Sequence, residues 1–131
     1  MLFRSALDVI KGMASICNKL ACVLIYLGAT FSFISSTFVL HNKLELFNRD
    51  EPVLVSMPMG VSVICDKINK GVVMKIGEDE LEWEFMSLPL SDFDAILGMD
   101  GLSRYKANVD YFERKVIFEK EDGGKIGRAH V

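Results

Sequence analysis

The sequence predicts a small, closed all-β domain with one short helix. Its 131 residues suit one domain, and 50% hydrophobic with 25% charged residues is typical of a chain with a buried core. Short apolar segments alternate with turn residues at regular spacing, which indicates about seven or eight strands. Helical spacing is clear at Gly98 to Tyr105, where Met99, Leu102 and Tyr105 share one face.

Most of the predicted strands form hairpins. In the clearest strand, Leu81, Trp83 and Phe85 alternate with glutamates, which places the apolar side chains on one face. Turn residues such as Gly, Pro and Asn separate the partners. The predicted pairs are Asp8–Ile16 with Leu20–Tyr26, Val53–Met57 with Val61–Cys65, Val72–Ile76 with Leu81–Phe85, and Val109–Phe112 with Lys115–Phe118. Ser32 to Leu40 lacks clean alternation and is predicted to be either a short helix or an irregular loop.

The domain limits follow from the same pattern. Residues 1–7 are predicted to be an N-terminal segment, and residues 8–120 the folded domain. From residue 121 to residue 131 the chain is polar and rich in glycine, which predicts a flexible tail.

The charges and cysteines exclude several classes of function. The net charge is −3 and the basic residues are spread along the chain, so no basic stripe is available for nucleic acid. The three cysteines, Cys17, Cys22 and Cys65, are an odd number and lack the spacing of zinc ligands. The sequence has two histidines, His41 and His130. We therefore expect cysteines that form no disulfide, in an intracellular, cytoplasmic chain that holds no metal and no cofactor.

Two motifs carry the strongest functional signal. The first is an apolar strand that runs into a loop of small residues, and the second is an apolar strand that ends at a glycine before the predicted helix. The first comprises Tyr26, Leu27, Gly28, Ala29 and Thr30, followed by Ser32-Phe33-Ile34-Ser35. The second runs from Phe93 to Asp100 and contains Asp94, Ile96, Leu97, Gly98 and Met99. In this order and spacing they resemble the retropepsin-like aspartic proteases of plant gypsy-type long-terminal-repeat retrotransposons. The resemblance extends over residues 8–120.

The resemblance implies a fold, a partner and a chemistry. It implies a small closed retropepsin-like barrel, a homodimer, and a peptide ligand in the cleft. Each subunit of the family supplies one aspartate, and the two share a proton and activate a water against a peptide carbonyl. The family's flap falls at Pro58, Met59 and Gly60. In the family, the protease is one segment of a gag-pol polyprotein.

The sequence departs from the family where the chemistry resides. Tyr26 stands at the position of the catalytic Asp, and Leu27 at that of Ser or Thr. A phenol keeps its proton at neutral pH and cannot replace a carboxylate. Asp94 and Asp100 belong to the second motif, where the resemblance implies a structural role. No catalytic residue is intact, so we predict an inactive domain.

A third departure concerns packing. Gly101 stands where the family usually has Trp. The change removes a large buried side chain and adds backbone entropy within a short helix, so it predicts a weakened core at this helix.

One alternative is a single-span membrane protein. The run from Leu20 to Asn42 has no charged residue and is long enough for a bilayer, which needs about 20 apolar residues. However, Gly, Ser and Thr are frequent in it, and a lone helix in lipid offers their polar groups no partner. The membrane reading is therefore the less favoured of the two. A hydrolase with another nucleophile has little support, because no Gly-x-Ser-x-Gly motif occurs.

Overall fold

The computed structural model describes residues 9–56, 62–119 and 125–130 and is mostly β. Segments in which apolar and polar residues alternate form the strands. Two short helices each follow a short strand of three residues. The helices are α1 (Ser36–His41) and α2 (Met99–Arg104). The strands are β1 (Val9–Ile16), β2 (Lys19–Tyr26), β3 (Phe33–Ser35), β4 (Phe47–Ser56), β5 (Ser62–Ile76), β6 (Asp79–Leu88), β7 (Ala95–Leu97), β8 (Asn108–Asp110), β9 (Lys115–Glu119) and β10 (Lys125–His130).

The main sheet closes into a ring. Its strand order is β1-β2-β7-β3-β6-β5, and Ser15 and Ile16 of β1 pair with Lys75 and Met74 of β5 to complete it. Strand β4 extends the sheet beyond β5, and β8, β9 and β10 form a second, three-stranded sheet. The closed all-β fold predicted from the sequence is therefore confirmed.

The first predicted hairpin is present and has a two-residue turn. Cys17 and Asn18 both have positive φ, 50° and 66°, as a type I′ turn requires. Such a turn matches the twist of the flanking strands, so β1 and β2 pair along their full length from Val9 with Tyr26 to Ile16 with Lys19. This pairing places Tyr26 at the end of an inner strand.

Strand β5 merges two segments that the sequence analysis predicts as separate strands. Its pairing with β6 shifts register between Asn69 and Val72, and Gly71 between them has a φ of +61°. A bulge of this kind bends a strand without ending it. The bent strand therefore pairs with β4 through one half and with β6 through the other.

The helices and the C-terminal segment also differ from the prediction. Ser32 to Leu40 contains both β3 and α1, so the domain has a second short helix besides α2. The Ser35 side chain caps α1 by accepting a hydrogen bond from the backbone N–H of Phe38. Lys125–His130 forms β10, although the sequence predicts a flexible tail there. Polar, glycine-rich residues gave no strand signal, and the pairing with β9 orders the backbone.

The run from Leu20 to Asn42 is not a single helix. It comprises most of β2, the loop after it, β3 and α1. Within the described ranges, no helix is long and apolar enough to cross a membrane. The predicted single span is therefore not supported.

A side chain of strand β6 fills the core beside α2. Trp83 of β6 is buried, and its ring stacks on Tyr105 and meets Phe118 edge-on. A Cβ atom at position 101 would lie 2.1 Å from the Trp83 ring. The expectation of a missing anchor at Gly101 is therefore wrong, because the Trp83 indole occupies the adjacent space and requires a glycine there.

We expect Gly101→Ala to destabilise the domain. Alanine normally favours a helix, but here its methyl group would overlap the Trp83 ring, at a cost of about 1–3 kcal/mol. The free energy of unfolding in urea measures the effect. Ser103→Ala, at an exposed position of the same helix, is the matched control and should stay within about 0.5 kcal/mol of the unaltered chain. A Gly101→Ala variant as stable as this control would contradict the packing of Trp83 on Gly101.

Candidate functional site

The two sequence motifs meet at one end of the ring. Strand β2 leads into the loop at residues 26–30 and runs parallel to β7, with Ile25 beside Leu97. Beyond these strands, the backbone N–H of Met99 donates to the Ala29 carbonyl at 2.8 Å, and that of Asp100 to the Thr30 carbonyl at 3.0 Å. The start of α2 therefore holds the loop after β2 in place.

Two glycines allow the chain to approach itself closely here. A Cβ at position 98 would lie 2.2 Å from the carbonyl oxygen of Phe31, so the two backbones meet with no room for a side chain. A Cβ at position 28 would lie 2.5 Å from the ring of Tyr26. The Tyr26 ring therefore folds back over Gly28 and covers the loop.

A buried hydroxyl joins the motifs to the core. The Ser32 Oγ donates to Asp100 Oδ1 at 2.6 Å, and accepts from the Trp83 indole at 2.7 Å and from the Gly98 N–H at 2.9 Å. The Ser32 backbone N–H donates to the other carboxylate oxygen of Asp100 at 3.1 Å. Ser32 is fully buried, so these bonds replace water for its hydroxyl and N–H and for the buried Trp83 indole and Gly98 N–H, whereas Asp100 is exposed.

Asp94 performs a similar task on the other side of β7. Its carboxylate accepts from the Cys22 backbone N–H at 2.8 Å, and its own N–H donates to the Cys22 carbonyl at 2.8 Å. Its carbonyl accepts from the Ser35 N–H at 2.7 Å. Both aspartates of the second motif therefore make hydrogen bonds that tie strands and loops together.

A cleft of about 580 Å³ opens beside the loop. One wall is the loop, including Tyr26, and another is the end of β4, Val53–Ser56. Apolar side chains complete the lining, namely Phe31, Phe33, Leu88, Leu90 and Ile96. No carboxylate of the described residues lines this cleft. It can hold an apolar ligand, but its lining offers no pair of acids that could activate a water.

The other predicted site residues are placed as follows. Leu27 is 37% exposed beside the cleft and does not line it, and Met99 at the start of α2 is 38% exposed. Pro58, Met59 and Gly60 of the predicted flap lie outside the described residues. The two strands that lead to them, β4 and β5, are paired from Val53 with Cys65 to Ser56 with Ser62.

A buried thiol packs in an apolar cluster with several of the residues that line the cleft. Cys65 belongs to the apolar cluster of Phe33, Ile68, Met86 and Leu88, against which Phe31 and Val53 pack. Burial raises the pKa of the Cys65 thiol, which lies 3.2 Å from the Ser87 carbonyl oxygen. Across the described ranges, no three His, Cys, Asp or Glu side chains lie close enough together to hold a metal ion.

Comparison with known families identifies this arrangement. Residues 3–124 match the family described as retroviral aspartyl protease. The chain belongs to this family. The match covers nearly the whole chain, as the resemblance carried by the two motifs predicts. No curated protein sequence is significantly similar to it.

The fold is also similar to that of a solved structure. The chain is similar to the crystal structure of the retroviral protease-like domain of Ddi1 from Leishmania major, with a TM-score of 0.65. The sequences are 14% identical, and the match covers 92% of this chain and 94% of that one. At this identity the likeness establishes the retropepsin-like fold alone.

Sequence reasoning missed the residues that support the site. Ser32 was part of a motif, but nothing marked its hydroxyl as the meeting point of Trp83, Gly98 and Asp100. A Ser in an apolar stretch was the one available signal, because a buried hydroxyl needs partners. Phe31, Leu88 and Leu90 gave no signal, since apolar residues form both core and cleft.

We expect Ser32→Ala to destabilise the chain by about 3 kcal/mol. It would leave the Trp83 indole and the Gly98 N–H buried without an acceptor, and each such group costs about 1–3 kcal/mol. Ser36→Ala is the control, because Ser36 is half-buried and makes a single side-chain contact, with Ser87; it should cost less than about 1 kcal/mol. Equal urea midpoints for the two variants would contradict the role of the Ser32 hydroxyl.

Cysteine reactivity should follow burial. Cys65 is buried with a raised pKa, so less of it is thiolate, whereas Cys17 and Cys22 are partly exposed. With iodoacetamide at pH 8, we expect Cys65 to react at least about tenfold more slowly than the other two, as followed by peptide mass spectrometry. In 8 M urea the three rates should converge. Fast alkylation of Cys65 in the native chain would show that the apolar cluster around Cys65 is not packed as described.

Proposed function

We propose that this chain is a retropepsin-like domain of retrotransposon origin that binds peptide and does not cleave it. The observation that supports this most directly is Tyr26, which stands at the family's catalytic position with its ring folded over Gly28. Peptide hydrolysis in the family requires two carboxylates that share one proton. The cleft has apolar walls and a phenol in their place.

Peptide binding is supported by the form of the cleft. Among the residues that the structure describes, β4 pairs with β5 alone, so the backbone N–H and C=O groups on its other edge have no strand partner there. An extended peptide can add to such an edge while its side chains enter apolar pockets. Val53–Ser56 is the part of β4 that lines the cleft, so the free edge and the apolar walls lie together.

We further propose that the domain acts as a homodimer, as the family does. Leu27 and Met99 are exposed apolar side chains at the loop and at the start of the helix that holds it. In the family, this loop meets its copy from the second subunit. Leucine at position 27 would make that contact apolar, where the family uses a hydroxyl.

Restoring the carboxylate is the direct test. We expect the unaltered chain to leave a peptide library uncut between pH 4 and pH 7. The double variant Tyr26→Asp, Leu27→Ser should cleave it at least about a hundredfold faster than Tyr26→Asn, Leu27→Ser, because the control has equal size and no carboxylate. Cleavage is read by mass spectrometry of the products.

The outcomes separate three cases. Cleavage by the unaltered chain would overturn the proposed inactivity. A dimeric Asp variant, shown by sedimentation, that cleaves nothing would overturn the assignment of position 26 as the catalytic position. A monomeric unaltered chain would overturn the proposed homodimer.

A further inference from the structure

One cationic side chain lies at the wall of the cleft. The guanidinium carbon of Arg49 is 5.9 Å from the centre of the Phe31 ring, and Phe31 lines the cleft. Arg49 also lowers the pKa of the Cys65 thiol and so partly offsets the effect of burial, and Cys65 belongs to the same apolar cluster as the cleft residues Phe33 and Leu88. The contact with Phe31 is what places this guanidinium beside the cleft wall.

A local irregularity of β4 accounts for the position of Arg49. The pairing of β4 with β5 shifts register between Asn48 and Val53, and such shifts redirect side chains. Asp50, Glu51 and Pro52 are exposed, whereas Arg49 is half-buried. The Arg49 Nε donates to the Glu51 carbonyl oxygen at 2.7 Å, which fixes the plane of the guanidinium.

The remaining donors of Arg49 are available to a ligand. Among the residues that the structure describes, no acidic side chain forms an ion pair with Arg49, and Nη1 and Nη2 have no hydrogen-bond acceptor. A half-buried guanidinium with two free nitrogens is suited to bind a carboxylate through two parallel hydrogen bonds. The described lining of the cleft is itself uncharged, and Arg49 lies beside it, against Phe31.

We propose that Arg49 makes this cleft selective for peptides in which an acidic residue adjoins an apolar segment. The apolar segment lies along β4 in the cleft, and the carboxylate of the acidic residue binds the free edge of the guanidinium. This inference rests on the proposed peptide binding and names the class of peptide. A peptide is favoured over a small anion because the cleft adds apolar walls and a free strand edge to the single charge.

The test is an acid scan of a peptide ligand. The probes are octapeptides of Val, Leu and Thr with a neutral dye, in which one Glu is moved through all positions, and a matched set with Gln. Fluorescence anisotropy gives the Kd of each. We expect at least one Glu peptide to bind about tenfold more tightly than its Gln counterpart, as hydrogen bonds to a charged group allow.

Two variants isolate Arg49. In Arg49→Met the preference for Glu should disappear while the Gln peptides bind within about twofold of their original Kd. Lys70→Met is the matched control, because Lys70 lies 5.9 Å from the ring of Phe47 in a similar contact whose residues do not line the cleft. It should keep the full preference. Urea unfolding of each variant verifies that it is folded.

Each outcome decides between the two proposals. Equal binding of Glu and Gln peptides at every position, or a preference that persists in Arg49→Met, would overturn the role of Arg49 and leave peptide binding intact. A folded chain that binds neither set would overturn both peptide binding and the role of Arg49. Competition by decanoate as strong as by the best Glu peptide would overturn the peptide as the occupant.

Discussion

The rest of the site depends on the hydrogen bonds of the Ser32 hydroxyl. One oxygen joins the loop after β2, the start of α2 and the indole of Trp83. The Trp83 indole and the Gly98 N–H are buried, and a buried donor without an acceptor is more costly than a hydrogen bond is favourable. The network therefore has essentially one satisfied arrangement, which fixes the loop relative to the core and so shapes one wall of the cleft.

This network explains why a change at the proposed catalytic position need not damage the fold. Tyr26 and Leu27 lie at the exposed end of the loop, and neither takes part in the hydrogen bonds around Ser32. The residues that the close backbone approaches require, Gly28 and Gly98, are retained. Gly101 has a similar role, because the Trp83 ring occupies the space that a side chain at position 101 would need. The chemistry and the scaffold of this domain are therefore carried by separate residues.

The sequence predicted what depends on local pattern. The first hairpin follows from alternation and from Asn18 in the turn, and the retropepsin-like fold follows from the resemblance carried by the two motifs. The continuity of β5 depends on Gly71, whose conformation a sequence pattern does not reveal. The placement of Trp83 on Gly101 joins residues from different elements, as does that of Arg49 on Phe31. Neither could be predicted, because periodicity reports which face of an element is apolar and not what packs against it.

The proposed replacement of a catalytic carboxylate by Tyr26 accounts for the absence of charge between Leu20 and Asn42. In the retropepsin family, this loop carries a carboxylate at the end of an inner strand. The two carboxylates of a dimer repel each other unless they share a proton. Under the function proposed above, Tyr26 in place of that carboxylate removes the repulsion and leaves a cleft whose described lining is uncharged. The polar side chains of that lining are Tyr26, Thr30 and Ser56, and Arg49 lies beside it against Phe31. A cleft of this kind would hold an extended peptide and discriminate between peptides by charge without cutting them.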